Sequence, residues 1–201
     1  MAQMDYARTW EQIDEMILNS EDLGMHLNDR SPLAQELKDA KLEEIADLRE
    51  RAKAVFNLVM SKAAWNGKYE ISPALTSETL QKQGGSNADI NLLLIQSLHE
   101  VGLTAAPVML RTRDQGLLPY NFPALHKMST FVVAFVMPAG PNVYLDASSK
   151  NGYLNVLAEP LLVEKARLVQ KKNKSAWVNL QKISKSQKNT IINAQLAADG
   201  T

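Results

Sequence analysis

Cysteine is absent from this sequence of 201 residues. The absence excludes disulfide frameworks, cysteine-ligated zinc sites and cysteine nucleophiles. An excess of charge of either sign is also lacking, because 22 Lys and Arg residues balance 22 Asp and Glu residues. A chain with no net charge has no overall attraction for an anionic polymer, so we expect no nucleic-acid partner.

Long hydrophobic runs are missing as well. The longest apolar segments, residues 90–98 and 131–137, are far shorter than the roughly 20 residues of a transmembrane helix. We therefore expect no direct insertion into a membrane. The first residues show no basic flank followed by an apolar stretch, so a signal peptide is not predicted there.

Several motifs of cofactor and metal chemistry are also absent. The sequence has no Walker or dinucleotide-binding glycine pattern, no GxSxG motif and no pair of histidines at metal-ligand spacing. The three histidines, His26, His99 and His126, are scattered along the chain, a distribution typical of surface and loop residues. We therefore predict neither a cofactor nor a metal site.

What remains is the composition of an ordinary globular protein, with 45% hydrophobic and 22% charged residues. Such a composition argues against wholesale disorder and fibrous repeats. Folding a chain of this length buries roughly 70% of the surface of its extended form, so a substantial core is expected.

Helical patterns dominate the first half of the chain, about residues 9–102. A capping box at Thr9 predicts a helix over residues 10–19. Apolar residues at helical spacing predict a long amphipathic helix over residues 41–64. A shorter helix is predicted over about residues 76–83.

A buried helix is predicted after the glycine pair Gly84-Gly85. Ser86 or Asn87 is suited to cap it. Residues 90–101 are apolar on nearly every side, which is typical of a helix in a protein core. Gly102 predicts the end of this helix.

β-Branched and apolar runs dominate the second half, about residues 104–185. The predicted strands are 104–112, an antiparallel hairpin of 130–137 with 142–147, and two more over 167–170 and 176–183. A loop of unusual length, residues 114–128, separates the first strand from the hairpin. The whole pattern predicts an α+β fold in which the buried helix packs against an antiparallel sheet.

The domain boundary is predicted near residue 188, so residues 1–188 are expected to form one domain. The remaining tail, residues 189–201, contains a strand-like segment over 190–196 and a turn dipeptide at Asp199-Gly200. We expect this tail to be the start of a following β domain.

Three motifs in a fixed order carry a family resemblance. Gly84-Gly85-Ser86-Asn87-Ala88-Asp89 opens the buried helix, a strand begins at Thr130, and Tyr144-Leu145-Asp146-Ala147 ends the next strand. The arrangement resembles the transglutaminase-like superfamily. In that family a Gly-x-Cys-x-Asp sequence opens the helix, a His starts one strand and an Asp ends the next.

The resemblance becomes narrower with two further segments, Trp65-Asn66-Gly67 and residues 108–113. Together with the helix at Trp10, they look like the transglutaminase-like domains within large cell-envelope proteins of Bacteroidetes-type bacteria. The similarity covers residues 9–185. It implies a papain-like fold, a place in the cell envelope or periplasm, and flanking domains of the same polypeptide as partners.

The resemblance places the catalytic positions of the family on Asn87, Thr130 and Asp146. Only the third keeps the residue type of the family. Asn has no nucleophile comparable to a thiolate, and a Thr hydroxyl cannot act as a general base near neutral pH. The resemblance therefore implies a transglutaminase-like fold in which no catalytic residue is expected.

Each of these three residues also has a purely structural interpretation. Asn87 is suited to the N-cap of a helix. Thr130 is a β-branched residue at the start of a strand. Asp146 is suited to bond to backbone groups at the end of a hairpin.

An alternative site is a serine hydrolase built from Ser86, His126 and Asp146. Ser86 directly precedes Asn87, the position at which the family has its cysteine. The loop over residues 114–128 could bring His126 close to Ser86. Against this alternative, a shift of one residue rotates a side chain by about 100° around the helix axis. The sequence also lacks the glycine elbow that presents such a serine.

Candidate binding residues lie next to the hairpin. Tyr120 and Phe122 could line a cleft as rigid aromatic anchors, or could pin their loop to the domain. Arg111 and Arg113 are two apart on a predicted strand, so they face the same side and could grip a carboxylate, or form a solvated edge.

The sequence therefore predicts a degenerate, non-catalytic module that binds a peptide, a glycan or neighbouring domains. The alternatives are the hydrolase and a spacer domain that has no ligand.

Overall fold

The computed structural model describes residues 9–119, 121–171 and 174–183. Tyr120 and the predicted tail strand over 190–196 lie outside these residues. The described helices are α1 (Trp10–Leu18), α2 (Ala34–Asp39), α3 (Leu48–Lys62), α4 (Thr76–Gln81) and α5 (Asn87–Glu100). No helix in this part of the chain has both the length and the apolar character needed to cross a membrane.

The strands fall into two sheets. The strands are β1 (Ala64–Trp65), β2 (Gly84–Gly85), β3 (Ala105–Leu110), β4 (Thr130–Phe135), β5 (Val143–Leu145), β6 (Ala166–Leu168) and β7 (Ala176–Val178). The first two form a short parallel pair, and the others form a sheet in the order β5-β4-β3-β6-β7. All neighbours in the larger sheet are antiparallel, which confirms the predicted hairpin and the α+β class.

The predicted buried helix is α5, which packs on β3 and β4. Its residues from Asn87 to Leu98 are buried except for Asp89. It ends before Gly102, whose φ of 76° lies in the left-handed region that favours glycine. This confirms the prediction that this helix is buried in the core.

Alternation along β4 divides the core between the two faces of the sheet. Phe131, Val133 and Phe135 join the cluster that contains α5 and the other long helices. Val132 and Ala134 join a second cluster on the opposite face, which the segments around residues 157–163 and 180 cover. Because the sheet is buried on both faces, β4 is apolar at every position after Thr130.

The pair of β1 and β2 holds the start of α5 in place. Ala64 is paired with Gly84, and Trp65 with Gly85. A side chain at Gly85 would collide with the Asp89 carboxylate, which lies one turn into the helix. The prediction that the two glycines end α4 is thus incomplete, since they also form a strand against which α5 starts.

The predicted helix over residues 41–64 is wrong in its first turns. Lys41 has a left-handed backbone with φ of 52°, a single 3₁₀ turn follows, and α3 begins only at Leu48. The Asp47 carboxylate accepts hydrogen bonds from the backbone N–H groups of Arg49 (2.8 Å) and Glu50 (3.0 Å). This local capping competes with continuation of the helix towards its N-terminal side.

The strand predicted over 104–112 is also too long, since β3 ends at Leu110. Arg111 and Arg113 therefore do not alternate on a strand, and Arg113 begins a single 3₁₀ turn. The backbone turns away from the sheet there because the Thr112 N–H is bonded to the Ser129 hydroxyl (2.9 Å) instead of to a strand neighbour.

A buried ion pair attaches α1 to the sheet. The Arg167 Nε donates to both carboxylate oxygens of Asp14, at 3.0 and 3.2 Å, and both side chains are almost completely buried. The Trp177 ring lies against the Arg167 guanidinium and meets the Trp10 ring edge to face. Sequence patterns did not predict this contact, because its two ends are 153 residues apart.

Candidate functional site

The start of α5 carries Asn87 into the interior. Its side chain is 0% exposed. Its Oδ1 accepts from the Glu70 backbone N–H (3.0 Å), and its Nδ2 donates to the Phe131 carbonyl (3.0 Å). The Asn87 backbone N–H also donates to the Lys68 carbonyl (3.1 Å), so Asn87 fastens the segment around residues 68–70 over the start of the helix.

The N-cap of α5 is Ser86, so the interpretation of Asn87 as the cap is wrong. The Ser86 hydroxyl accepts from the Asp89 N–H (3.2 Å), and the Ser86 N–H donates to the Asp89 carboxylate (2.7 Å). This reciprocal pair is a capping box. Asn87 is left as the first helical residue, and its side chain points into the core and makes the contacts described above.

Asn91, one turn further along α5, joins the helix to two strands. Its Nδ2 donates to the Phe131 carbonyl (3.0 Å) and to the Asp146 Oδ1 (3.1 Å). Its Oδ1 accepts from the Ala147 N–H (3.0 Å). Sequence reasoning missed this residue. The available signal was a second Asn four positions after Asn87 in the first half of a mostly apolar helix, which places both amides on one face.

Asp146 is a buried carboxyl at the end of β5. Its Oδ1 accepts from Asn91, from the Ser148 hydroxyl (2.7 Å) and from the Ser148 N–H (3.2 Å). Its Oδ2 is buried without a hydrogen-bond partner among the described residues. Burial raises the pKa of Asp146, although the bonds from Ser148 and Asn91 oppose that effect. The neutral form of Asp146 is therefore favoured more than that of an aspartate exposed to solvent.

Two hydroxyl groups complete the surroundings. Thr130, opposite Leu110 in the sheet, is fully buried, and its Oγ1 has no partner in the described part of the chain. Tyr69 is partly buried, and burial, followed by the charges of Asp146 and Asp114, raises the pKa of its phenol to about 12. Neither hydroxyl loses its proton near neutral pH, so neither supplies a base.

Two of the three positions suggested by the family resemblance, Asn87 and Asp146, are joined through Asn91 and one carbonyl group, that of Phe131. Asn87 and Asn91 both donate to the Phe131 carbonyl, Thr130 directly precedes Phe131, and Asn91 links this group to Asp146. The arrangement offers amides, hydroxyls and a buried acid. Most of these polar atoms are occupied in holding α5 to β4 and β5.

The residues of the alternative hydrolase site are not joined in this way. The Ser86 hydroxyl is 1% exposed and is engaged at the helix cap. His126 is exposed on a single 3₁₀ turn, Leu125–Lys127. Within the described ranges no hydrogen bond joins Ser86 to His126 or His126 to Asp146. These ranges also contain no group of three His, Asp or Glu side chains arranged to hold a metal ion.

Arg111 and Arg113, the predicted binding residues, line the same groove even though they are not on a strand. The groove has a volume of about 460 Å³, and Leu117, Val163 and Lys165 also line it. Phe122 is 76% exposed on its loop and is not among the groove residues. Sequence reasoning missed Leu117 and Lys165 because a residue's part in a groove depends on which chain segments fold together.

Comparisons with known proteins give remote similarities only. No protein-family model and no curated protein matches the chain. A Parabacteroides distasonis structure, provisionally described as a protease, aligns with 84% of this chain at 14% identity and a TM-score of 0.46. The present chain spans only 30% of the length of that protein.

Two structures of LapG from Legionella pneumophila are also similar. One aligns with 74% of this chain and 78% of LapG, and the EGTA-treated form with 87% and 91%. Both have 12% identity and a TM-score of 0.40. Similarities of this size assign neither a family nor an activity.

Proposed function

We propose that this chain is a transglutaminase-like domain without cysteine-dependent chemistry, and that it serves as a binding module of a larger cell-envelope protein. The proposal rests on the burial and the hydrogen bonds of Asn87. At the position where the family motif has its nucleophile, the chain has a fully buried amide with hydrogen bonds to Glu70 and Phe131. Such a group holds the fold together and does not attack a carbonyl carbon.

The remaining positions support the same conclusion. A transglutaminase-like reaction needs a base to take the proton of the nucleophile and a charged group to orient that base. Thr130 supplies no base at neutral pH. Asp146 bonds to Asn91 and Ser148 rather than to an imidazole, and its burial disfavours the charged form. Loss of both nucleophile and base removes most of the rate enhancement of a triad.

Labelling with a fluorophosphonate probe tests the absence of catalysis against the hydrolase alternative. We expect the wild-type chain to remain unlabelled, because Ser86 is engaged at the helix cap. Labelling that disappears in Ser86→Ala and in His126→Ala, and persists in the exposed control Ser77→Ala, would refute the proposal. His126 is exposed, so its substitution leaves the core intact.

The binding role is tested by thermal denaturation with candidate peptides, glycans and flanking domains of the polypeptide. A ligand that binds only the folded state raises the melting temperature as its concentration rises. We expect at least one of the three classes to do so. A melting temperature that none of them changes would identify the domain as a spacer and contradict the binding role.

A further inference from the structure

The groove beside Arg111 has the chemistry of a small recognition site. Its lining contains three cationic side chains, Arg111, Arg113 and Lys165, and one anionic side chain, Glu164. Its volume of about 460 Å³ is within the range of ligand-binding clefts, about 300–1,000 Å³. We propose that this groove binds an acidic peptide segment in which a carboxylate side chain lies next to an apolar one. This inference rests on the proposed binding function and specifies its ligand.

Arg111 is already oriented for a carboxylate. Its Nε donates to the Gln115 carbonyl at 2.9 Å, and this bond fixes the plane of the guanidinium. No hydrogen bond to its two terminal nitrogens is found within the described ranges. A planar guanidinium held at one edge presents its other donors in a fork that matches a carboxylate, and less side-chain entropy is lost on binding.

Arg113 is engaged only weakly. Its Nη1 lies 3.6 Å from the Glu159 carboxylate, and both side chains are exposed to solvent. Exposed pairs of this kind contribute about 0–1 kcal/mol. A ligand carboxylate that also contacts Arg111 can therefore replace Glu159 at small cost. The two arginines and Lys165 give the groove a positive field that attracts acidic segments.

The same groove offers an apolar wall. Leu117 is 91% exposed, the adjacent Leu118 is 9% exposed, and Val163 also lines the groove. An isolated exposed leucine is ordinary, but this one lies within the lining of a cationic groove. A ligand that places an apolar side chain on Leu117 removes that surface from water while its acid pairs with Arg111.

The region around Asn87, Thr130 and Asp146 is a poorer binding site than the groove. Asn87, Thr130 and Asp146 are all buried, and Asn87 is hydrogen-bonded to the segment around residues 68–70. A ligand would have to break these contacts to enter. The groove at Arg111 is already open, and none of these three residues lines it.

Fluorescence polarisation with a labelled decapeptide of alternating leucine and glutamate tests the proposal. Matched probes are the same peptide with glutamine in place of glutamate, and an oligogalacturonate that carries carboxylates on a glycan. The protein variants are Arg111→Gln, Arg113→Gln and Leu117→Ser. Lys82→Gln is the control, since Lys82 lies on α4 and pairs with Glu78 outside the groove.

We expect the glutamate peptide to bind at least tenfold more tightly than the glutamine peptide, with an affinity that falls as salt is added. Each groove variant should weaken binding about tenfold, and Lys82→Gln should leave it unchanged. Arg113 is exposed, so its variant stays informative even if Arg111→Gln alters the local turn.

Equal affinity for the two peptides, binding unaffected by the groove variants, tighter binding of the oligogalacturonate, or no binding at all would each overturn this assignment. Mass spectrometry of the peptide after incubation separates this inference from the proposed function. Cleavage of a bound peptide would refute the absence of catalysis and leave the groove in place. An intact peptide that does not bind would refute only the groove.

Discussion

Asp146 shows how burial changes the behaviour of a single residue. Its pKa in the folded state is raised by desolvation, whereas in the unfolded chain it is close to 4. Between these two values the folded state binds more protons than the unfolded state. The free energy of unfolding therefore decreases as pH rises through that window, and the loss is complete above the folded-state pKa.

Replacing Asp146 by asparagine should remove this loss. The amide oxygen of Asp146→Asn can still accept from Asn91 and Ser148, but the side chain no longer titrates. We expect the stability of the variant relative to wild type to increase as pH rises from 4 to 8, as measured by urea unfolding.

Asp47→Asn is the control with the opposite sign. Hydrogen bonds from the Glu50 and Arg49 N–H groups lower the pKa of Asp47, so its contribution is present above the unfolded pKa and is lost as pH falls. Stability curves of wild type and Asp146→Asn that run parallel with pH would contradict the account of Asp146.

At the scale of elements, the start of α5 depends on contacts within a few residues. Ser86 caps the helix, Asp89 completes the box, and the Asp89 Oδ1 also accepts from the Ala74 N–H (2.6 Å). The bond from Ala74 joins the segment just before α4 to the start of α5. The first two turns of α5 place Asn87 and Asn91 against the Phe131 carbonyl, and this placement needs a fixed helix start.

Ser86→Ala should therefore reduce the free energy of unfolding by about 1–2 kcal/mol, because the Asp89 N–H loses its acceptor in a region shielded from water. Chemical denaturation measures the change. The matched control is Thr9→Ala, which breaks the capping box of α1 at an exposed position. We expect a smaller loss there, and a loss in Thr9→Ala equal to that in Ser86→Ala would argue against the role of burial.

The order and type of most elements were predictable because their signals are local. Helix caps, glycine stops and apolar periodicity each span a few residues. The errors arose where local signals compete. The apolar spacing over residues 41–64 continues through the point where Asp47 caps α3, and Arg111 resembles a strand residue although β3 has already ended.

The candidate site was predictable only in part for the same reason. Motif order indicated Asn87, Thr130 and Asp146, and the first and last of these are linked through Asn91. The bonds of Asn91 join residues 40 to 56 positions apart, so no short pattern could reveal them. Of the cationic residues that line the groove, Arg111 and Arg113 were predicted as binding residues. Lys165 was not predicted, because it comes from a distant segment of the chain.

For the molecule as a whole, the buried pair of Asp14 and Arg167 joins the first described helix to a strand near the other end of the chain. Two charges removed from water are costly unless each is paired. Here Arg167 is bonded to both carboxylate oxygens and contacts Trp177. Removing Asp14 leaves the buried Arg167 charge with only the exposed Glu11 carboxylate, 3.5 Å from its Nη2, as an anionic partner.

Asp14→Ala should accordingly cost about 3–5 kcal/mol of unfolding free energy in urea denaturation. The double variant Asp14→Leu with Arg167→Met should cost less than Asp14→Ala, since it buries no charge. The control Glu78→Ala disrupts an exposed i,i+4 pair with Lys82 and should cost under about 1 kcal/mol. A cost of Asp14→Ala as small as that of the control would show that the pair does not anchor α1.

We propose that residues 87, 130 and 146 occupy the catalytic positions of a transglutaminase-like site, and that Asn87 and Thr130 stand where its reactive side chains would be. The absence of cysteine allows a direct measurement, the titration of thiolate absorbance near 240 nm in Asn87→Cys and in Asn87→Cys/Thr130→His. A thiol at the start of α5 beside an imidazolium should have a pKa well below its usual 8.5, whereas burial should raise the pKa of the thiol in the single variant. We expect a clear separation between the two titrations, with the near-ultraviolet circular dichroism of both folded variants matching wild type. Coincident titrations of two folded variants would show that positions 87 and 130 do not correspond to a catalytic pair, and would contradict the proposal.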